Sequence, residues 1–352
     1  MVSKNEPGEP PVVGITMGDP LGIGPEVVVR ALQEVEDFGP ARYVVYGANE
    51  VLTLVADRIG VRPGWSRIPH DSDRLELPVG ATSIVRDFEQ PDSLRTCEYG
   101  PTPAGGMLSR QCVETAIVDA MRDPSDPRSI DAIVTAPVSK KAWAMAGSRF
   151  PGHTELFAHR TRSRRHAMLF HSKKLNVALA TAHVPLMDLR NILTIGRIFD
   201  PIDLGNRFCR DLGIAEPRIA VCGLNPHAGE NGIIGDEDQR LVSPAIEMAR
   251  NAGINAHGPF PADTIFIRAA EGDWDLVVAM YHDQGLIPVK LLGWRDAVNV
   301  TVGIPVVRTS PDHGTAYDIA GRGVADPSSM ISAMKLAVHL SSNRQALKTR
   351  DD

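Results

Sequence analysis

Short apolar runs alternate with stretches of helical spacing almost from end to end of the chain, and this alternation limits the possible folds more than any other feature. Val12–Met17, Arg42–Tyr46, Asp131–Thr135, Leu175–Thr181, Arg218–Gly223 and Leu276–Met280 read as strands. Val113, Ala116, Ile117, Ala120 and Met121 recur on one helix face, and Gln239–Arg250 and Ser329–Leu340 show the same period. Strands and helices in alternation bury both faces of a mainly parallel sheet. With 352 residues there is chain enough for two α/β/α domains with their own cores.

Two segments mix strand signals with proline and polar residues, Thr135–Lys140 and Asn299–Arg308. Crossings there predict a discontinuous first domain of 1–135 plus 306–352 and a second of 136–305, with the active site in the cleft. Pro63–Pro78 and Glu89–Pro103 are rich in proline and charge and read as loops or insertions.

Three histidines each follow a strand-like run: His183 in Ala-Thr-Ala-His-Val-Pro, His227 in Leu-Asn-Pro-His-Ala-Gly-Glu and His282 in Met-Tyr-His-Asp-Gln-Gly. Ligand-binding side chains gather at strand ends in α/β sheets. Three neutral imidazoles leave positions on a divalent metal open for substrate oxygens. Any one of them taken alone is satisfied as a turn residue with a local partner; the recurrence favours ligands. Asp263 and Asp283 are candidates to orient such an imidazole through its second nitrogen, against a default of surface carboxylates.

The turn from Thr16 to Glu26 holds Gly22 and Gly24, but Val27 occupies the third glycine position of a dinucleotide fingerprint. It is as readily a packing turn. Thr154 reads as a helix cap, or else joins His153 in holding an anionic oxygen at a helix start. Lys290, Asn299 and Arg308 share no helix face, and each alone reads as an exposed polar residue. The loop Asp312–Gly321 is bounded by small residues that let a flat ligand approach.

A net charge of −6 argues against a nucleic-acid partner. No apolar run reaches the length of a membrane span. The four cysteines form no C-x-x-C pair and read as buried apolar residues in a reducing compartment. The first ten residues lack the apolar stretch of a signal peptide. The expected location is cytoplasmic.

In order along the chain, Ile-Thr-Met-Gly-Asp-Pro, Thr-Ala-Pro, Pro-Gly-His-Thr-Glu, Ala-His-Val-Pro-Leu, Gly-Leu-Asn-Pro-His-Ala-Gly-Glu, Pro-Ala-Asp-Thr, Met-Tyr-His-Asp-Gln-Gly and Asp-His-Gly-Thr-Ala form a specific set. They run from Ile15 to Gly321, and the chain resembles the 4-hydroxythreonine-4-phosphate dehydrogenase family of pyridoxine and pyridoxal phosphate biosynthesis. The resemblance implies an isocitrate/isopropylmalate dehydrogenase-like fold, whose cofactor site is not a Rossmann fingerprint. It implies NAD- or NADP-linked oxidation of 4-phosphooxy-L-threonine to 2-amino-3-oxo-4-phosphooxybutanoate, which decarboxylates to 3-amino-2-oxopropyl phosphate. One divalent metal per site (zinc, magnesium or cobalt) is expected on His183, His227 and His282. His153, Thr154, Lys290, Asn299 and Arg308 are expected on substrate, and Gly314, Thr315, Ala316 and Asp318 on the cofactor.

Asp263, Asp283 and Lys290 are the candidates for the base. A homodimer with shared active sites is implied, with His282 opposite the other two ligands. Ser139, Ala182 and Pro311 depart from the usual pattern and bear on substrate preference. The same chemistry on 4-phosphothreonate or 4-phosphoerythronate is the near alternative. A metal-dependent hydrolase is the alternative from another class.

Overall fold

The computed structural model describes residues 9–75, 78, 81, 83–94 and 97–351. Most of the first ten residues therefore lie outside the described part. The chain divides into two compact units, Met1–Ser163 with Ile304–Asp352, and Arg164–Gly303.

The first unit holds strands β1 (Val12–Thr16), β2 (Arg42–Gly47), β3 (Trp65–Pro69), β4 (Ser83–Asp87), β5 (Ala132–Thr135) and β12 (Val307–Pro311). Their order is β3-β4-β2-β1-β5-β12, every pair parallel. Helices α1 (Gly24–Ala31), α2 (Asn49–Ile59), α3 (Pro103–Ala120), α4 (Lys140–Met145), α5 (His153–Arg160) and α11 (Ser328–Asp351) complete it. Val13, Ile15, Val44, Val45, Ile133 and Val134 are buried, as a strand covered on both faces requires. Each contributes about 1.5–3 kcal/mol relative to exposure.

The second unit holds β6 (Ala167–His171), β7 (Asn176–Leu179), β8 (Ile219–Cys222), β9 (Ala256–Phe260), β10 (Leu276–Ala279) and β11 (Val298–Val302). The order is β11-β6-β7-β10-β8-β9; the two pairs made by β6 are antiparallel and the rest parallel. Its helices are α6 (Leu189–Ile192), α7 (Ile195–Asp211), α8 (Ser243–Asn251), α9 (Ala262–Ala270) and α10 (His282–Gly293). Val177, Leu179, Cys222, Val277, Ile265, Phe266, Leu286 and Val289 form one core between this sheet and α9 and α10.

The first crossing falls after Ser163 rather than at 135/136. The reason is the seat of α4. Gly106 of α3 lies against the Ala142 backbone so closely that a Cβ would collide with it, and Trp143 donates from Nε1 to Ser109 Oγ at 3.0 Å. The second crossing, between 303 and 304, lies beside the expected one. The expected loop Pro63–Pro78 contains strand β3, which is half-exposed, and residues 76 and 77 lie outside the described part. Three cysteines are buried as expected, whereas Cys97 is exposed. Among the described residues no helix is long and apolar enough to cross a membrane.

Candidate active site

The second unit carries all three strand-end histidines. β7, β10 and β8 are neighbouring parallel strands, and His183, His282 and His227 follow their carboxyl ends. The rings of His183 and His282 have centroids 5.7 Å apart. Two imidazoles on one ion, with metal–nitrogen bonds of about 2.0–2.1 Å, bring their rings about this close. Asp283 Oδ1 is 2.8 Å from His282 Nδ1, the second-nitrogen contact expected of an orienting carboxylate. The resemblance implies His282 facing the other two across an interface; in this chain its ring lies beside that of His183.

His227, which follows β8, lines a cavity of about 540 Å³ together with Glu230, Asp238, Gln239 and Pro261. Among the described residues no group of three or more His, Cys, Asp or Glu side chains is gathered to hold a metal. His227 opens a run of five left-handed residues, His227 to Asn231, of which only Gly229 is a glycine. The buried Asp238 carboxylate holds the approach to this turn, accepting from the N–H groups of Leu224 at 2.6 Å and Asn225 at 3.1 Å.

Lys290 lies two turns along α10 from His282, its Nζ 5.1 Å from the Trp294 ring centre. Asn299 is on β11, and among the described residues its buried Oδ1 has no hydrogen-bond partner. Asp263 is exposed in the first turn of α9.

In the first unit a second group forms where β5 and β12 run side by side. Arg308, on β12, is 3% exposed. Its Nη2 donates to Thr135 Oγ1 at 2.7 Å and lies 3.3 Å from His153 Nδ1. Burial pulls the guanidinium down to about 10, against support from the Glu155 carboxylate. Burial, and then the Arg308 charge, holds His153 well below its ordinary range, so the ring is neutral at pH 7. Its Nε2 is buried and, among the described residues, has no hydrogen-bond partner. A buried cation beside an orphaned polar nitrogen suits an anionic ligand, which relieves both costs. Thr154 is not the cap of α5; that position is Gly152, which offers no side-chain bond.

The loops after β1 and β12 meet in the same unit. Ile23 N–H donates to Thr315 O at 2.9 Å, and Gly22 is close enough that a Cβ would press on Thr315. Tyr317 donates to Asp19 Oδ2 at 2.8 Å, and Asp19 Oδ1 accepts from Leu21 N–H. Gly314 and Asp318 are exposed, Gly314 has open space where a Cβ would stand, and Ala316 is left-handed at φ 39°. Thr135, Asp19 and Tyr317 were within motifs recognised in the sequence, but their pairing was not visible there.

Two α/β units with mainly parallel sheets, and with side chains gathered at the carboxyl ends of their strands, make an isocitrate/isopropylmalate dehydrogenase-like fold. Residues 41–337 match the model of the family described as pyridoxal phosphate biosynthetic protein PdxA, and the chain belongs to that family. A 4-hydroxythreonine-4-phosphate dehydrogenase of Desulforapulum autotrophicum is 43% identical over 333 residues, covering 93% of this chain and 94% of the relative. A D-threonate 4-phosphate dehydrogenase of Salmonella typhimurium is 43% identical over 335 residues, covering 94% and 99%. The crystal structure of a 4-hydroxythreonine-4-phosphate dehydrogenase from Klebsiella pneumoniae superposes with a TM-score of 0.84 at 40% identity, covering 96% of this chain and all of that one (100%). The chain is thus an oxidoreductase, and the hydrolase alternative falls away.

Proposed function

We propose that this enzyme oxidises the C3 alcohol of 4-phosphooxy-L-threonine with NAD or NADP. The observation that carries the reading is the buried Arg308 beside the orphaned Nε2 of His153. It gives a phosphorylated substrate a charge-assisted seat, with Thr135 fixing the guanidinium. The relatives' names supply the substrate class.

His183, His227 and His282 would hold one divalent ion, zinc, magnesium or cobalt; the adjacent pair fits such an ion and His227 stands on the next strand end. When bound, the ion lowers the pKa of the alcohol and favours hydride loss. Asp283 is engaged in holding His282, which leaves Lys290 Nζ or the Asp263 carboxylate to take the hydroxyl proton. Oxidation at C3 would give 2-amino-3-oxo-4-phosphooxybutanoate, with NAD or NADP supplying the hydride acceptor when bound. The C1–C2 bond then breaks, the ketone accepts its electron pair, carbon dioxide departs and C2 takes a proton. The product is 3-amino-2-oxopropyl phosphate. With Asp263 as the base, Lys290 and Asn299 would meet the carboxylate end; in either case His153, Thr154 and Arg308 would meet the phosphate. The loop with Gly314, Thr315, Ala316 and Asp318 would hold the cofactor.

A second reading, D-threonate 4-phosphate as substrate, is favoured by a relative of that name at the same 43% identity. Reduction of NAD or NADP, measured with each substrate before and after chelation and metal add-back, tests both. Failure of both substrates in metal-replete enzyme would sink the proposal; activity with only D-threonate 4-phosphate would select the second reading.

The working unit would be a homodimer. Ile287 and Leu291 on α10 and Trp294 just past its end are exposed, and Leu186, Met187 and Ile233 stand exposed near the histidine-bearing turns. Exposed apolar side chains clustered in this way suit a covering partner, and a two-fold interface would use the same patch twice.

A further inference from the structure

The three histidine-bearing strand ends are tied together by side chains that are not themselves ligands. Thr181, two residues before His183, donates from Oγ1 to the carbonyl of Met280 at 2.7 Å. Met280 is two residues before His282, and its N–H donates to Gln284 Oε1 at 2.7 Å. The same Gln284 amide donates from Nε2 to the carbonyl of Gly223 at 2.8 Å, four residues before His227. Thr181 and Met280 are buried, and Gln284 is half-buried on the third residue of α10. Gln284 bonds at both ends of its amide, so a shift of either strand end breaks a bond.

We propose that Gln284, with Thr181, is a positioning residue that registers the ends of β7, β10 and β8 and thereby holds in place the turns that carry His183, His282 and His227. Strand ends are where the ladder stops, and past them a turn has no regular bonding to hold it. The amide of Gln284 and the hydroxyl of Thr181 extend the cross-strand connection one step further, to the residues from which the histidine turns depart. Loss of Gln284 also strands a donor on Met280 and an acceptor on Gly223, and unsatisfied groups pull a turn toward other partners. The inference rests on the reading that these histidines share an ion.

Cobalt titration of the purified metal-free full-length enzyme tests it without recourse to turnover. Gln284→Met keeps the length of the side chain and removes both bonds. It should weaken cobalt binding roughly 10- to 100-fold, the range for groups that orient metal ligands, while the far-ultraviolet spectrum stays that of wild type. Thr181→Val should weaken binding in the same direction, and Thr181→Ser, which keeps the hydroxyl, should restore it. His183→Ala is measured alongside. If His183→Ala loses cobalt while Gln284→Met and Thr181→Val bind it as tightly as wild type, the positioning role is overturned. If His183→Ala itself binds cobalt unchanged, the histidine assignment falls and this inference falls with it. Should Gln284→Met fail to fold, the contrast between Thr181→Val and Thr181→Ser decides.

Discussion

Arg308 and His153 pose opposite electrostatic problems in one small volume. The arginine is a charge kept where charge is costly, and the histidine is kept neutral by the same burial and by that charge. Truncating Arg308 should remove a buried charge-assisted contact worth about 2–5 kcal/mol. Arg308→Ala is therefore expected to lower kcat/KM for the phosphorylated substrate far more than it weakens NAD(P) binding, read by steady-state kinetics and a cofactor titration. An unchanged kcat/KM would remove Arg308 from the phosphate seat. His153 binds its proton more weakly in the folded chain than in the unfolded one, whose value is near 6.5. Its contribution to stability is fully present above that pH and is lost as the pH falls toward the folded value. Urea unfolding at stepped pH should show stability declining on the acid side of 6.5, and His153→Gln should flatten that decline. A variant with the wild-type slope would show that other groups carry it.

At the level of elements, the left-handed run from His227 to Asn231 stores strain that the neighbouring Asp238 bonds offset. A non-glycine residue there costs about 1–2 kcal/mol. Glu230→Gly relieves that cost but frees the unfolded chain, so a net gain of about 0.5–1 kcal/mol is expected. Gly229→Ala should destabilise, since its φ of 78° is unfavourable and a Cβ would lie 3.1 Å from Gly235 O. Melting temperatures of the two variants, moving in opposite directions, check the argument; equal shifts would refute it. This turn was invisible in the sequence, where Pro-His-Ala-Gly-Glu gives no sign of handedness. Strands that are buried and rich in Val, Ile and Leu, such as β1 and β10, were legible because burial on both faces forces that composition. β3 and β9 were not, because β3 is half-exposed, β9 is interrupted by Gly258-Pro259, and both lie at the edges of their sheets. β11 and β12 carry Asn299 and Arg308 and read as boundary segments for that reason. The histidines were legible from their repeated context, whereas Asp19 with Tyr317 and Gln284 with Gly223 join distant residues that no local pattern connects.

For the whole molecule, the exposed apolar side chains of α10 make assembly a condition of activity in the proposed dimer. Leu291, 80% exposed, is the position where a charge should do most harm to an apolar interface and least to the fold. Leu291→Glu is expected to sediment as a monomer and to lose turnover; an active monomer would separate assembly from catalysis. Shared sites are tested by mixing inactive variants after subunit exchange. His227→Ala with His282→Ala should recover to roughly a quarter of wild type per site whichever of these two the partner supplies, since random pairing makes about half the dimers mixed. The pairings of His183→Ala with each of the others then reveal which ligand crosses, and no recovery in any pairing would confine each site to one chain. The first unit closes only with a returning segment, Ile304–Asp352, whereas Arg164–Gly303 is one uninterrupted stretch. During synthesis, the second unit thus has all its strands available while the first still waits for β12, and with it Arg308, to leave the ribosome. A truncated or stalled product lacking that last segment would carry the three histidines of the proposed metal group but not Arg308 of the proposed phosphate seat, so in that reading premature termination separates a metal-binding half from substrate recognition.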